Sequence, residues 1–258
     1  MKIIPIFKTA KIACLTLAAI GFTAGSLYAQ TVIGSWQGSG DDGWIDWGNQ
    51  SSITAPANMP SPYSFVNAGV PGYSQSLQLT KAGWSQDLSI KLENTPGDMA
   101  AFFNNQLFSI TWSIPSAATV GDSDGGYSQL WGLYINAGGG YGFTLQPASE
   151  VSITGSGHTS GTGGELDYWS TSPEQTQTIT WNYSSILPTL LADGNGPSSG
   201  YVELILTSNN GGAPTDVFYF NNAVLSGGPV PEPATGVLGL TGGVLAIFWM
   251  RRHSKPNA

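Results

Sequence analysis

Residues 30–229 hold fifteen of the sixteen Asp and Glu residues but only two basic residues, Lys81 and Lys91, a net charge of −13. Two carboxylates about 5–9 Å apart can hydrolyse a glycosidic bond. Glu93, Glu150, Glu165, Glu174 and Glu203 are available for such a pair, and no spacing marks any two of them. Glu203, in YVELILTS, either points into a groove or lies on the solvent face of an alternating strand. A serine nucleophile would have to use His158, the one histidine of this stretch, and GSGHTSGTGGE around it reads as an exposed loop. One histidine cannot build a multi-histidine zinc site. The only cysteine is Cys14, which leaves this stretch without disulfides, cysteine nucleophiles or Cys-based zinc. Two acidic pairs could hold calcium. Asp41 and Asp42 precede a Trp-containing strand, and Asp122 and Asp124 form a D-x-D-G loop whose twelfth position is Leu133 instead of the EF-hand glutamate.

The aromatic residues offer a different chemistry. Trp and Tyr rings stack on the apolar faces of sugar rings at low entropic cost. Trp44, Trp47, Trp84, Trp131, Tyr168 and Trp169 are the ligand-stacking candidates, with Tyr134 and Tyr141 beside them, and Gln129 and Asn136 could read hydroxyls. Trp112 and Trp181 lie in strongly alternating segments and are expected in the core.

These side chains must be held by strands. Charged residues make up only 9% of the chain, while Gly, Ser, Thr, Asn and aromatics abound, which favours an all-β domain over a helical bundle. Short alternating runs start at Tyr63, Ser76, Asp87, Leu107, Gln129, Glu150, Thr176, Tyr201 and Asp216, separated by turn-forming clusters. In DLSIKL, Leu88, Ile90 and Leu92 share a face, and so do Ile179 and Trp181 in TQTITWN. The expected fold is a two-sheet antiparallel β-sandwich, a jelly roll, over residues 30–226. Two short helices are expected, at 96–105 with Asp98 as cap and Met99, Phe102 and Phe103 inward, and at 184–193, where Pro188 limits the length. So acidic a surface excludes nucleic-acid binding through phosphates.

Both ends carry transport signals. Residues 1–29 have Lys2, Lys8 and Lys11, then an apolar centre, then small residues ending at Ala29, the layout of a secretory signal helix cut by signal peptidase. Residues 227–235 are a linker containing Val230, Pro231, Glu232 and Pro233. An apolar run follows to Met250, then Arg251 and Arg252. A helix of about 17 residues is roughly 25 Å long, barely enough to span a bilayer, and its basic end should stay cytoplasmic. Residues 236–258 are thus expected to form a short transmembrane helix and basic tail.

This order of parts resembles the PEP-CTERM sorting signal of Gram-negative bacteria. The resemblance implies export across the inner membrane, transient anchoring there, recognition of Pro231, Glu232 and Pro233 by an exosortase, and delivery to the cell surface or extracellular matrix. A second resemblance covers most of residues 36–226. GSGDDGWIDWGN, VPGYSQSLQLT, GWSQDLSIKL and DVFYFNNAVL stand in the order seen in galactose-binding-like carbohydrate-binding modules. It implies a jelly roll, a non-catalytic contact with extracellular polysaccharide, and a structural calcium near Asp41, Asp42 and Asn222; this chain departs from the pattern in having Asn221 where the family's last strand carries Asp. The alternatives are a structural matrix protein without a defined ligand and a glycan-active hydrolase.

Overall fold

The computed structural model describes residues 30–37, 42–48, 50–53, 63–80, 86–116, 126–168, 173–210 and 217–227. The expected signal helix, the linker, the transmembrane helix and its Arg251–Arg252 end lie outside these residues. Among the described residues, no helix is long and apolar enough to cross a membrane.

Ala29–Pro229 form one compact unit of short strands: β1 (Thr31–Gly34), β2 (Trp44–Asp46), β3 (Ser51–Ser52), β4 (Tyr63–Asn67), β5 (Gln75–Thr80), β6 (Gln86–Lys91), β7 (Leu107–Ile114) and β8 (Gly126–Ala137). The chain continues with β9 (Gly142–Leu145), β10 (Val151–Gly155), β11 (His158–Ser160), β12 (Gly163–Tyr168), β13 (Gln175–Asn182), β14 (Val202–Asn210) and β15 (Val217–Ser226). They make two antiparallel sheets. The seven-stranded sheet runs β10-β13-β7-β15-β5-β4, with β1 also on β15; the eight-stranded sheet runs β11-β12-β8-β14-β6-β2-β3, with β9 also on β8. From β5 onward the chain passes repeatedly from one sheet to the other, the winding of a jelly roll.

The period-two runs bury one face each. Leu88, Ile90, Ile110, Trp112, Ile179, Trp181, Leu204 and Leu206 all enter the core between the sheets. Aromatic rings form its spine: Trp36 contacts Trp44 (5.5 Å between centroids), Trp44 contacts Phe108 (6.5 Å), and Phe108 stacks on Trp181 (5.8 Å). Buried indole N–H groups need acceptors. Trp44 donates to the Ile33 carbonyl (2.6 Å), Trp181 to the Thr162 carbonyl (2.7 Å) and Trp112 to Gln177 Oε1 (3.1 Å).

Helix α1 (Asp98–Asn104) and helix α2 (Leu187–Ala192) stand near the expected places. α1 buries Met99 and Phe102, and Phe102 stacks on Tyr183 at 4.4 Å. Its cap differs from expectation: Gly97, in the left-handed region at φ 94°, holds the N-cap position, and Asp98 is the first helical residue. The stretch expected as a loop around His158 is instead the β11–β12 hairpin. Its glycines are required by close approach, because a Cβ on Gly163 would run into the Leu130 carbonyl of β8.

Candidate functional site

Strand β14 alternates Val202, Leu204 and Leu206 with Glu203, Ile205 and Thr207, and it is central to the eight-stranded sheet. Leu204 and Leu206 belong to the inter-sheet core, so Glu203, Ile205 and Thr207 face outward. Yet Ile205 is fully buried, outside that core. Its register neighbours are Ser89 on β6 and Tyr134 on β8, so the outer face of this sheet has a cover of its own.

The cover is aromatic. Tyr134 stacks on Phe143 of β9 (4.4 Å, 20° between planes), and Phe143 meets Trp47, just past β2, at 5.9 Å. Phe143 is 49% exposed, and Trp131, further along β8, is 48% exposed. A β-bulge places Trp131: Thr207 pairs with Gly132 and Ser208 with Leu130, leaving Trp131 as the extra residue. Bulges re-aim side chains in this way.

Beside the rings lies a polar cluster. Glu203, only 1% exposed, accepts hydrogen bonds from Ser89 Oγ (2.9 Å), Asn136 Nδ2 (3.2 Å) and the Tyr201 hydroxyl (2.5 Å). Asn136 Nδ2 also reaches the Tyr201 oxygen (3.2 Å). Burial, then the hydrogen bond to Glu203, push the Tyr201 hydroxyl well above its ordinary range, so it stays a donor. Lys91, the register neighbour of Glu203 on β6, donates to Gln50 Oε1 (2.8 Å). A face with exposed rings and neighbouring hydroxyl and amide groups can hold a polyhydroxylated ligand, rings on its C–H faces and polar groups on its hydroxyls, while buried Glu203 holds Tyr201 and Asn136 in place.

The expected residues are distributed unevenly. Trp131 and Trp47 are on this face, with Tyr134. Trp44 is a correction: fully buried and hydrogen-bonded in the core, it has no ring face to offer a ligand. Tyr141 packs against the core edge. Trp84 and Trp169 lie outside the described residues, and for Tyr168 only the backbone at the end of β12 is described. Glu203 is neither a groove acid nor a solvated residue but a buried hydrogen-bonded one. Phe143 and Ile205 were missed, because GFTL, just after a glycine run, is too short to read as a strand and an apolar run hides which residue faces outward.

His158 Nδ1 lies 3.0 Å from Asp167 Oδ2, with 70% of its side chain exposed. That is a histidine–carboxylate pair in high dielectric, where it is weak. For the calcium expectation, Asp42 Oδ2 already accepts from Ser35 N (2.6 Å), Ser35 Oγ (3.1 Å) and Trp36 N (2.9 Å). Asn222 sits at a β15 irregularity with φ 53°. Asp41, Asp122 and Asp124 lie outside the described residues. Among those described, no three His, Cys, Asp or Glu side chains gather where they could hold a metal ion.

No protein-family model matches the chain, and no curated protein matches it. Among solved structures, it is similar to the tandem CBM22-1–CBM22-2 domain of Xyn10C from Paenibacillus barcinonensis (11% identity, TM-score 0.42), covering 82% of this chain and 50% of that one. It is also similar to CBM29_1, a family 29 carbohydrate-binding module from Piromyces equi (10%, TM-score 0.30, 81% and 97%). A third is the Stig cyclase Fisc from Fischerella sp. TAU (14%, TM-score 0.34, 81% and 93%). The chain thus spans half the length of the first. At these identities and TM-scores, ligand and activity have to be argued from this chain's own side chains.

Proposed function

We propose that residues 30–226 form a non-catalytic glycan-binding domain whose ligand lies across the outer face of the eight-stranded sheet. The observation that carries this reading is the row Trp47–Phe143–Tyr134, with Trp131 beyond it, bordered by the polar cluster around Glu203. Rings carried by β8, β9 and the turn after β2 suit an extended chain better than a single sugar in a pit. A surface with one described lysine suits a neutral polymer better than an anionic one. The hydrolase reading is disfavoured because Glu203 has three donors and is shut away from solvent. The test is a glycan array probed with the full chain. Trp131→Ala and Phe143→Ala should each weaken binding about tenfold, the scale of a lost aromatic contact, while leaving the thermal midpoint within a few degrees. Absence of binding to every polysaccharide, including those of the producing cell, would sink this reading and favour a structural matrix protein.

We further propose that the chain is exported, cut by signal peptidase, anchored transiently in the inner membrane of a Gram-negative cell, and passed by an exosortase to the surface or extracellular matrix. The support is the sequence order Pro231-Glu232-Pro233, apolar run, Arg251-Arg252. Replacing Pro231, Glu232 and Pro233 by alanine should leave a larger, membrane-bound form on fractionation; normal maturation of that variant rejects the sorting reading.

A further inference from the structure

The opposite sheet turns a different surface outward. Its neighbouring strands present small hydroxyl side chains in register, Ser152–Thr180–Ser109 and Thr154–Thr178–Thr111. At one end of this face two 3-10 turns, Ala148–Glu150 and Ser184–Ile186, flank the strands, and a hollow of about 340 Å³ lies there. That is within the size range of small-molecule sites, about 300–1,000 Å³. Ser152, Thr180 and Asn182 line it with hydroxyl and amide groups, and Leu107 and Val151 give it an apolar patch.

Glu150 completes the lining. Its Oε1 accepts a hydrogen bond from Ser185 Oγ (2.7 Å), whereas its Oε2 is buried with no hydrogen-bond partner. Oε2 is closed off from solvent, so the carboxylate oxygen a ligand can reach is the exposed Oε1, which can accept a second hydrogen bond beside Ser185. No basic side chain lines the hollow, so phosphate, sulfate and uronate ligands would meet only like charge. A neutral sugar unit fits this lining: its C–H face has Leu107 and Val151, one hydroxyl can donate to Glu150 Oε1, and the others can exchange bonds with Ser152, Thr180 and Asn182.

We propose that this hollow is a second binding site, for one neutral sugar unit, on the face opposite the aromatic row. The site stands without the reading of the aromatic face. One consequence rests on that reading: a molecule gripping glycan on both faces would cross-link chains.

The experiment is saturation-transfer NMR on the full chain, with glucose, galactose, mannose and glucosamine as probes. At least one neutral hexose should show saturable binding. Glu150→Gln should weaken it about tenfold, because a charged acceptor is lost. Ser152→Phe, at an exposed strand position, should fill the hollow and abolish binding; if that variant does not fold, Glu150→Gln decides alone. Trp131→Ala should leave this binding unchanged, which separates it from the aromatic face. The proposal is overturned if no neutral hexose saturates, if glucosamine alone binds, or if Trp131→Ala abolishes binding that Glu150→Gln leaves intact.

Discussion

Asp98 shows how burial beside a like charge can make one residue pH-sensitive. Burial, then the nearby Asp42 carboxylate, raise its pKa from 3.8 to about 6, and its Oδ2 has no hydrogen-bond partner. A raised folded-state pKa means the folded chain holds the proton longer than the unfolded one. The unfolded Asp98 ionises first, so stability falls as pH climbs from about 4 to about 6, and the penalty is constant above that. Asp98→Asn removes the charge and keeps the shape. Its urea midpoint, measured against wild type from acid to neutral pH, should gain over that window and run parallel above it; curves parallel throughout would refute the assignment. Trp44 teaches a related lesson. From its type and position it was as good a ligand platform as Trp131; the Ile33 carbonyl and the Trp36 and Phe108 rings claim it for the core.

At the scale of elements, the β11–β12 hairpin illustrates what a composition rule hides. Its glycines and serines suggest a loop, and its order comes from Gln177 on β13 in the facing sheet. Buried Gln177 donates to the His158 and Glu165 carbonyls (both 3.1 Å) and accepts from Trp112 Nε1 (3.1 Å). Removing such a strut leaves buried partners unpaired, at about 1–3 kcal/mol. Gln177→Ala should therefore speed amide exchange across residues 158–168, while the β6–β14 ladder keeps its protection. Equal acceleration in both regions would mean that Gln177 holds the whole sandwich and not the hairpin. The bulge in β8 is a second element-scale device. One unpaired residue brings Trp131 out to solvent from a strand whose neighbours Leu130 and Leu133 are core.

For the whole molecule, charge and redox state follow from composition. The net −13 of residues 30–229 makes the folded unit repel itself. Raising salt from about 10 mM to about 150 mM shortens the screening length from about 30 Å to about 8 Å, so the thermal midpoint should rise. A reductant should leave it unmoved, because the unit has no cysteine. A midpoint that falls with salt would show that attractive pairs outweigh the repulsion.

What the sequence determined by itself is the material that local rules can reach. Period-two burial identified nine strand segments and the core places of Trp112 and Trp181, and charge placement set the expectation against nucleic-acid binding, because each depends only on nearby residues or on sums over the chain. The tertiary structure alone decided which Trp is exposed, why outward Ile205 is dry, how Glu203 gains three donors from β6, β8 and the residue before β14, and how Glu150 comes to line a hollow. Ser89 and Glu203 meet across 114 positions of chain, and no local pattern carries a contact made only when the sheet closes.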